Sequence, residues 1–120
     1  MNIDLSTSGY YQIIRIDEDL TVISDLAELR YLVKGYVSEG KRYIAVAFTN
    51  ASYFYSGALA VLIECYRELA KGNGDLCIIE ANENLKSIFR ILKIDTILNV
   101  YDTEDDLPQP IDDDLPSSVV

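Results

Sequence analysis

The chain has 120 residues, of which 49% are apolar and 25% are charged, so it fits one globular domain that buries about two-thirds of its unfolded surface. Its 20 acidic and 10 basic residues give a net charge of −10, which disfavours binding to nucleic acid. Histidine is absent, which excludes catalytic triads and metal sites that depend on this residue.

Residues 1–8 are predicted to be an N-terminal extension. They contain no basic segment followed by an apolar one, so they do not resemble a secretory signal. The apolar run at residues 58–63 is too short to cross a bilayer. We therefore expect a cytoplasmic protein without direct membrane insertion.

The first predicted elements are two strands and a helix. Residues 10–16 and 20–23 are rich in β-branched and aromatic side chains, and the acidic turn between them favours a hairpin. In the following helix, Asp25 and Glu28 have the spacing of a capping box, and Gly40 marks the end. The apolar face of this helix is predicted to contain Leu26, Leu29, Val33 and Val37.

Buried strands and helices then alternate along the chain. The continuous apolar run at residues 43–48 predicts a central strand covered on both faces, and residues 76–79 and 97–101 predict two more strands. The helix at about residues 57–71 has a predicted apolar face of Leu59, Leu62, Ile63, Tyr66 and Leu69. Asn82 caps a third helix, whose predicted apolar face is Leu85, Ile88, Phe89 and Leu92. This alternation predicts right-handed crossovers onto a mostly parallel sheet.

The C-terminus differs from the rest of the chain in composition. All three prolines and a run of aspartates fall within residues 108–120, a pattern that opposes regular structure and predicts a flexible acidic tail. Whether this tail folds back onto Lys86, Arg90 and Lys93 is left open by the sequence. Cys65 and Cys77 lie in apolar stretches and are predicted to be buried free thiols.

The turn at residues 52–59, between the central strand and the second helix, is the candidate site. A helix N-terminus offers free N–H groups to a phosphate or to a partner's carboxylate. Ser56 lies at this junction, where its hydroxyl can cap the helix or, if exposed, accept a phosphoryl group. The sequence has no glycine-rich phosphate loop and no carboxylate pair suited to acid–base chemistry, so we predict no catalytic residue, metal ligand or cofactor.

The order of elements, the run YIAVAFTNASYF at residues 43–54 and the apolar spacing of residues 76–89 resemble a STAS domain of the bacterial anti-sigma factor antagonists. The resemblance spans about residues 9–107. It implies an α/β, SpoIIAA-like fold with a mostly parallel or mixed sheet of about five strands and three to four helices.

The resemblance also identifies where this chain departs from the family. The regulatory turn of the family usually reads Asp-Ser-Ser/Thr-Gly-Leu, and an anti-sigma factor kinase phosphorylates the second hydroxyl residue. Here Tyr55 stands at the Asp position, Ser56 at the first Ser, Gly57 at the phosphoacceptor and Ala58 at the Gly. An acidic residue common in the preceding strand corresponds to Ala47. The usual phosphorylation site is therefore missing.

The resemblance implies a non-catalytic protein-interaction module in bacterial signalling and transcription regulation. Its partner would be an anti-sigma factor or kinase, or another STAS protein, and the predicted partner-binding residues are Tyr53, Tyr55, Ser56, Gly57 and Ala58. One alternative is an accessory STAS subunit of a membrane lipid-transport ATPase. Another is an enzyme or a small-molecule sensor with a pocket near the turn.

Overall fold

A computed structural model of the protein describes residues 3–17, 26–48 and 56–108. Five strands form one sheet in the order β1-β2-β3-β4-β5, with bounds Ile3–Ser8, Tyr11–Ile16, Tyr43–Phe48, Asp75–Ile79 and Val100–Tyr101. The helices are α1 (Ala27–Ser38), α2 (Ser56–Lys71) and α3 (Glu83–Ile91), with single 3₁₀ turns at Ile94–Thr96 and Glu104–Asp106. The predicted α/β class, mixed five-stranded sheet and helix number are confirmed.

The sheet begins with an antiparallel hairpin. β1 and β2 pair from Ile3 with Ile16 to Ser8 with Tyr11, and Gly9 in the connecting turn has a φ of 60°. The other edge of β2 pairs with β3 in parallel. The predicted pairing of residues 10–16 with residues 20–23 is therefore wrong, because β1 and β3 take both edges of β2; residues 20–23 lie outside the described residues.

Helix α1 follows most of the predicted pattern. Leu26, Leu29 and Val33 are buried, Val37 packs partly against the core, and Gly40 ends the helix region with a φ of 82°. Leu26 occupies the N-cap position and makes no side-chain capping bond, while the predicted cap, Asp25, lies outside the described residues.

We expect Gly35→Ala to stabilise the protein by about 0.5–1 kcal/mol, because glycine in a helix interior is less favourable than alanine. Gly35 is an exposed α1 residue, and nothing lies within 4 Å of the position its Cβ would take. Urea unfolding of both proteins measures the difference. A lower midpoint for the variant would contradict this prediction.

The face of α2 that packs on the sheet overlaps the predicted one in part. Ala58, Leu62, Cys65 and Leu69 are buried, whereas Leu59, Ile63 and Tyr66 are half-buried and pack against the side of the same core. The small side chains of Ala58 and Cys65 lie in the core, where the sequence pattern had predicted larger ones. Leu62 and Leu69 were placed correctly, and Leu59, Ile63 and Tyr66 have a partly exposed flank.

The remaining elements follow the sequence closely. The Asn82 side chain caps α3 by accepting a hydrogen bond from the Leu85 N–H at 2.9 Å. Leu85 and Phe89 are buried, whereas Leu92, predicted to lie on the same face, is 47% exposed. Of the predicted last strand at residues 97–101, only Val100–Tyr101 pairs with β4, and residues 97–99 form the irregular link from the 3₁₀ turn at Ile94–Thr96.

The sheet has two buried faces. One carries the large core with the helices, and the other holds a smaller cluster of Tyr11, Ile13, Ala45, Ala47, Cys77, Ile79 and Leu107. Both cysteines are buried free thiols, as predicted. Burial raises the pKa of the Cys65 thiol to about 11 and also raises that of Cys77, so neither is a reactive thiolate at neutral pH.

Candidate functional site

The carboxyl ends of three parallel strands meet at one end of the sheet. Ile16 of β2 pairs with Phe48 of β3, and Ala47 of β3 pairs with Ile79 of β4. The chain leaves β3 at Phe48 and enters α2 at Ser56, so the candidate turn joins the central strand to α2 at this end. Ligands and partners of open α/β sheets commonly bind outside the carboxyl ends of the strands.

The predicted site residues fall partly within the described structure. Tyr53 and Tyr55 lie outside the described residues, and Ser56 is the first residue of α2, with a side chain that is not described. Gly57 is exposed, whereas Ala58 is fully buried and belongs to the core beneath the turn. A contact of Ala58 with a partner would therefore be indirect, through the packing that supports the turn.

The start of α2 is electrostatically suited to an anionic group. Its first turn contains no acidic residue, so no carboxylate of that turn offsets the positive end of the helix dipole. Ala47, at the position where the family commonly has an acidic side chain, is fully buried beside Arg15 and Ile79. The strand end is therefore apolar at that position.

A shallow groove of about 670 Å³ runs along the outer side of α2 and is lined by Leu59, Ala60, Ile63, Glu64, Arg67, Glu68 and Lys71. Its apolar residues are at the end nearest the turn, and its charged residues are farther along the helix. We call these seven residues the α2 groove. The sequence analysis missed this surface because it placed Leu59 and Ile63 in the core. The sequence does contain a signal for this surface, because α2 has more apolar residues than one buried face of a helix can hold.

A cluster of charged side chains lies at the same end of the sheet, on the face opposite the helices. The Arg15 guanidinium donates to both carboxylate oxygens of Glu80, at 3.1 and 2.8 Å, and to Glu104 at 2.9 Å. Its third nitrogen donates to the Ser6 hydroxyl at 3.2 Å. Arg15 lowers the pKa of the Glu104 carboxyl, and the two acids raise the pKa of Arg15. This Arg15 cluster ties β1, β2, the end of β4 and the chain after β5 together.

Two further features accompany this cluster. Glu80 has a φ of 59°, a left-handed conformation that is unusual for a residue other than glycine.

Lys86 of α3 donates a hydrogen bond to Asp102 at 2.7 Å, and this contact raises the pKa of the lysine. The chain just after β5 thus contacts α3 through Asp102, whereas a contact from residues 109–120 stays a prediction because those residues lie outside the described ones.

Comparison with known protein families identifies the domain. The chain matches the STAS domain over residues 2–107. It belongs to the STAS domain family. The matched range includes β1, which the sequence analysis had placed in an N-terminal extension. No curated protein matches the chain.

Solved structures share this fold at low sequence identity. An anti-sigma factor antagonist from Mycobacterium paratuberculosis is 13% identical, with 88% of each chain covered and a TM-score of 0.72. A putative anti-sigma factor antagonist from Thermotoga maritima is 15% identical, with 86% of this STAS chain and 88% of that one covered and a TM-score of 0.70. The Bacillus cell fate determinant SpoIIAA in its phosphorylated form is 17% identical, with 95% and 100% covered and a TM-score of 0.64. The TM-scores show a common fold despite the low sequence identity.

The described part of this STAS chain contains no helix that is both long and apolar enough to cross a membrane.

Proposed function

We propose that this STAS domain is a non-catalytic, cytoplasmic interaction module that regulates a protein partner in the manner of an anti-sigma factor antagonist. The partner docks on the turn at residues 52–59 and on the α2 groove. The observation that supports this proposal is the position of the groove, which begins at Leu59, the last residue of the turn. Exposed Gly57 and Ala60 connect the two surfaces.

The chemistry of this surface suits an anti-sigma factor, an anti-sigma kinase or another STAS protein. Tyr53 and Tyr55 add aromatic area to the turn, and aromatic residues are favoured anchors at protein interfaces. Half-buried Leu59 and Ile63 supply apolar contact. At the far end Lys71 already pairs with Glu68 at 3.8 Å, so Arg67 is the basic residue of the groove that would contact an acidic group on the partner.

The proposed partner is tested with the purified anti-sigma factors and STAS proteins of the source organism. We expect Ile63→Arg to weaken binding to the partner at least tenfold, about 1.4 kcal/mol, because it places a long charged side chain in the apolar half of the groove. Tyr31→Arg is the matched control, since Tyr31 is 80% exposed on α1 and lies outside the proposed surface. Isothermal titration calorimetry measures both affinities.

Equal affinity for wild type and Ile63→Arg would contradict docking on the α2 groove. Binding to a lipid-transport ATPase, with no binding to any anti-sigma factor, would contradict the antagonist role and support the alternative of an accessory transporter subunit.

A second experiment tests the missing phosphorylation switch. Gly57 has no hydroxyl, so we expect wild type to keep its mass after incubation with anti-sigma kinases and ATP. Gly57→Ser supplies a hydroxyl at the position where the family is phosphorylated, and we expect this variant to gain one phosphate. Intact-mass spectrometry measures both, and a stoichiometric phosphate on wild-type Ser56 would show that a switch is present.

A further inference from the structure

The outer edge of β1 has no strand partner in the part of the chain that the structure describes. Within the described residues β1 pairs only with β2, and its four central residues, Asp4, Leu5, Ser6 and Thr7, are all exposed. The strand contains no proline, no lysine and no arginine, and its register with β2 is continuous. Natural sheets commonly protect an edge strand with lysine or another charged side chain, proline or a bulge, and exposed Asp4 is the one charged residue of β1. Among residues 3–17, 26–48 and 56–108 no strand pairs with this edge, so its backbone groups can pair with a strand of another chain.

The hairpin geometry determines which backbone groups of β1 point outward. Two residues, Gly9 and Tyr10, connect the strands, and the positive φ at Gly9 fits the first central position of a type II′ turn. The closing pair of such a hairpin, Ser8 and Tyr11, exchanges both backbone hydrogen bonds. Because the pairs alternate along an antiparallel ladder, the N–H and C=O groups of Ile3, Leu5 and Thr7 point away from β2.

An apolar flank lies beside this open edge. Leu5 is 47% exposed and lies on the same face of the sheet as Ile3, which packs against the helix-side core. On α1, Arg30 pairs with Glu64 of α2, while half-buried Leu32 and Tyr36 lie on the opposite flank of the helix. Since α2 packs against β4, that flank of α1 is on the β1 side of the sheet.

We propose that β1 pairs antiparallel with β1 of a second copy of this chain, around a two-fold axis at Leu5. In this register Leu5 is opposite Leu5 of the second copy, and Ile3 is opposite Thr7, so the outward groups of one strand meet those of the other. Asp4 is opposite Ser6, which avoids two directly facing like charges. The two Leu5 side chains contact each other across the axis and form an apolar centre that one edge cannot form alone.

The register favours a second copy over a different protein as the occupant, because the strand is complementary to itself. Its single charged side chain, Asp4, is displaced from the axis. The net charge of −10 on each copy opposes association through long-range repulsion, so added salt strengthens the dimer by screening. Pairing through β1 leaves exposed Gly57 at the start of α2 uncovered, since α2 follows β3, which is two strands, or about 10 Å, from β1.

Sedimentation equilibrium over a range of protein and salt concentrations tests the dimer. We expect wild type to dimerise, with a Kd that falls as salt is raised. Thr7→Pro removes one outward N–H but no hydrogen bond to β2, and proline is tolerated in an edge strand where its nitrogen faces solvent. We expect this variant to weaken the dimer at least tenfold, whereas Thr7→Val, which keeps the N–H, leaves it intact. A monomeric wild type at the highest concentration and salt would overturn the proposal.

Cysteine cross-linking gives a second measurement that does not depend on how well Thr7→Pro folds. Facing residues of a hydrogen-bonded antiparallel pair have Cα atoms about 5.5 Å apart, within the range of a disulfide. We expect Leu5→Cys to form a covalent dimer under mild oxidation, and the control Tyr31→Cys, on an exposed helix surface, to remain monomeric. Equal cross-linking of the two variants would contradict pairing through β1.

Discussion

Gly74→Ala is expected to lower the free energy of unfolding by about 3 kcal/mol, at the upper end of the usual range for overpacking. A Cβ at this position would clash with the backbone carbonyl oxygen of Arg42 and lie 2.8 Å from the Arg42 Cβ. The same carbonyl accepts a hydrogen bond from the Asp75 N–H at 2.9 Å, at the first pair of the β3–β4 ladder. Relief of the clash therefore requires the two central parallel strands to move apart.

Urea unfolding, monitored by circular dichroism, measures this loss. Gly72→Ala is the matched control, because the nearest atoms to its added Cβ lie at 3.8 and 4.0 Å, an ordinary contact distance. We expect the control to change stability by less than about 1 kcal/mol. Similar losses in the two variants would show that the turn after α2, and not the approach of Gly74 to β3, sets the requirement for glycine.

The central part of the fold was predictable because its signals are local. The continuous apolar run of β3 predicted its position in the middle of the sheet, and Asn82 predicted the start of α3. In both cases a few neighbouring residues contain the whole signal. The resemblance to the STAS family added the expected number of strands and the location of the candidate turn.

Two features of the fold were missed for different physical reasons. β1 alternates apolar and polar residues only weakly, and as an exposed edge strand it needs little apolar surface. The composition of β1 therefore gave no indication that it pairs with β2. In α2, side-chain size misled the prediction, since Ala58 and Cys65 face the sheet while Leu59 and Ile63 lie on the flank. A helix that packs closely on a sheet favours small residues at the contact.

The Arg15 cluster could not be predicted because its members are distant along the chain. Arg15 and Glu80 are 65 residues apart, and Arg15 and Glu104 are 89 residues apart. Each acid resembles a surface residue when only its neighbours are considered. Only the parallel pairing of β2, β3 and β4 brings these side chains to one end of the sheet.

Arg15→Gln is expected to lower the free energy of unfolding by about 2 kcal/mol at neutral pH, within the range for hydrogen bonds to charged groups. The variant leaves the carboxylates of Glu80 and Glu104 close together without their shared cation. These side chains are 32% and 36% exposed and that of Arg15 is 23% exposed, so water offsets part of the loss. The matched control is Arg30→Gln, which removes a similar two-bond contact to Glu64 at a more exposed site. We expect it to cost less than about 1 kcal/mol.

The loss of stability caused by Arg15→Gln should become smaller at acidic pH. Arg15 lowers the pKa of Glu104 in the folded protein, while a glutamate in the unfolded chain has a pKa of about 4.3. The stabilisation is therefore complete above about pH 4.3 and is lost as the pH falls through the lower folded pKa. The difference in unfolding free energy between wild type and Arg15→Gln should be constant from pH 7 to about 4.3 and decrease as the pH falls further, because a protonated Glu104 no longer needs the cation. A difference that stays constant below about pH 4.3 as well would show that Arg15 stabilises the sheet by packing its side chain and not by its charge.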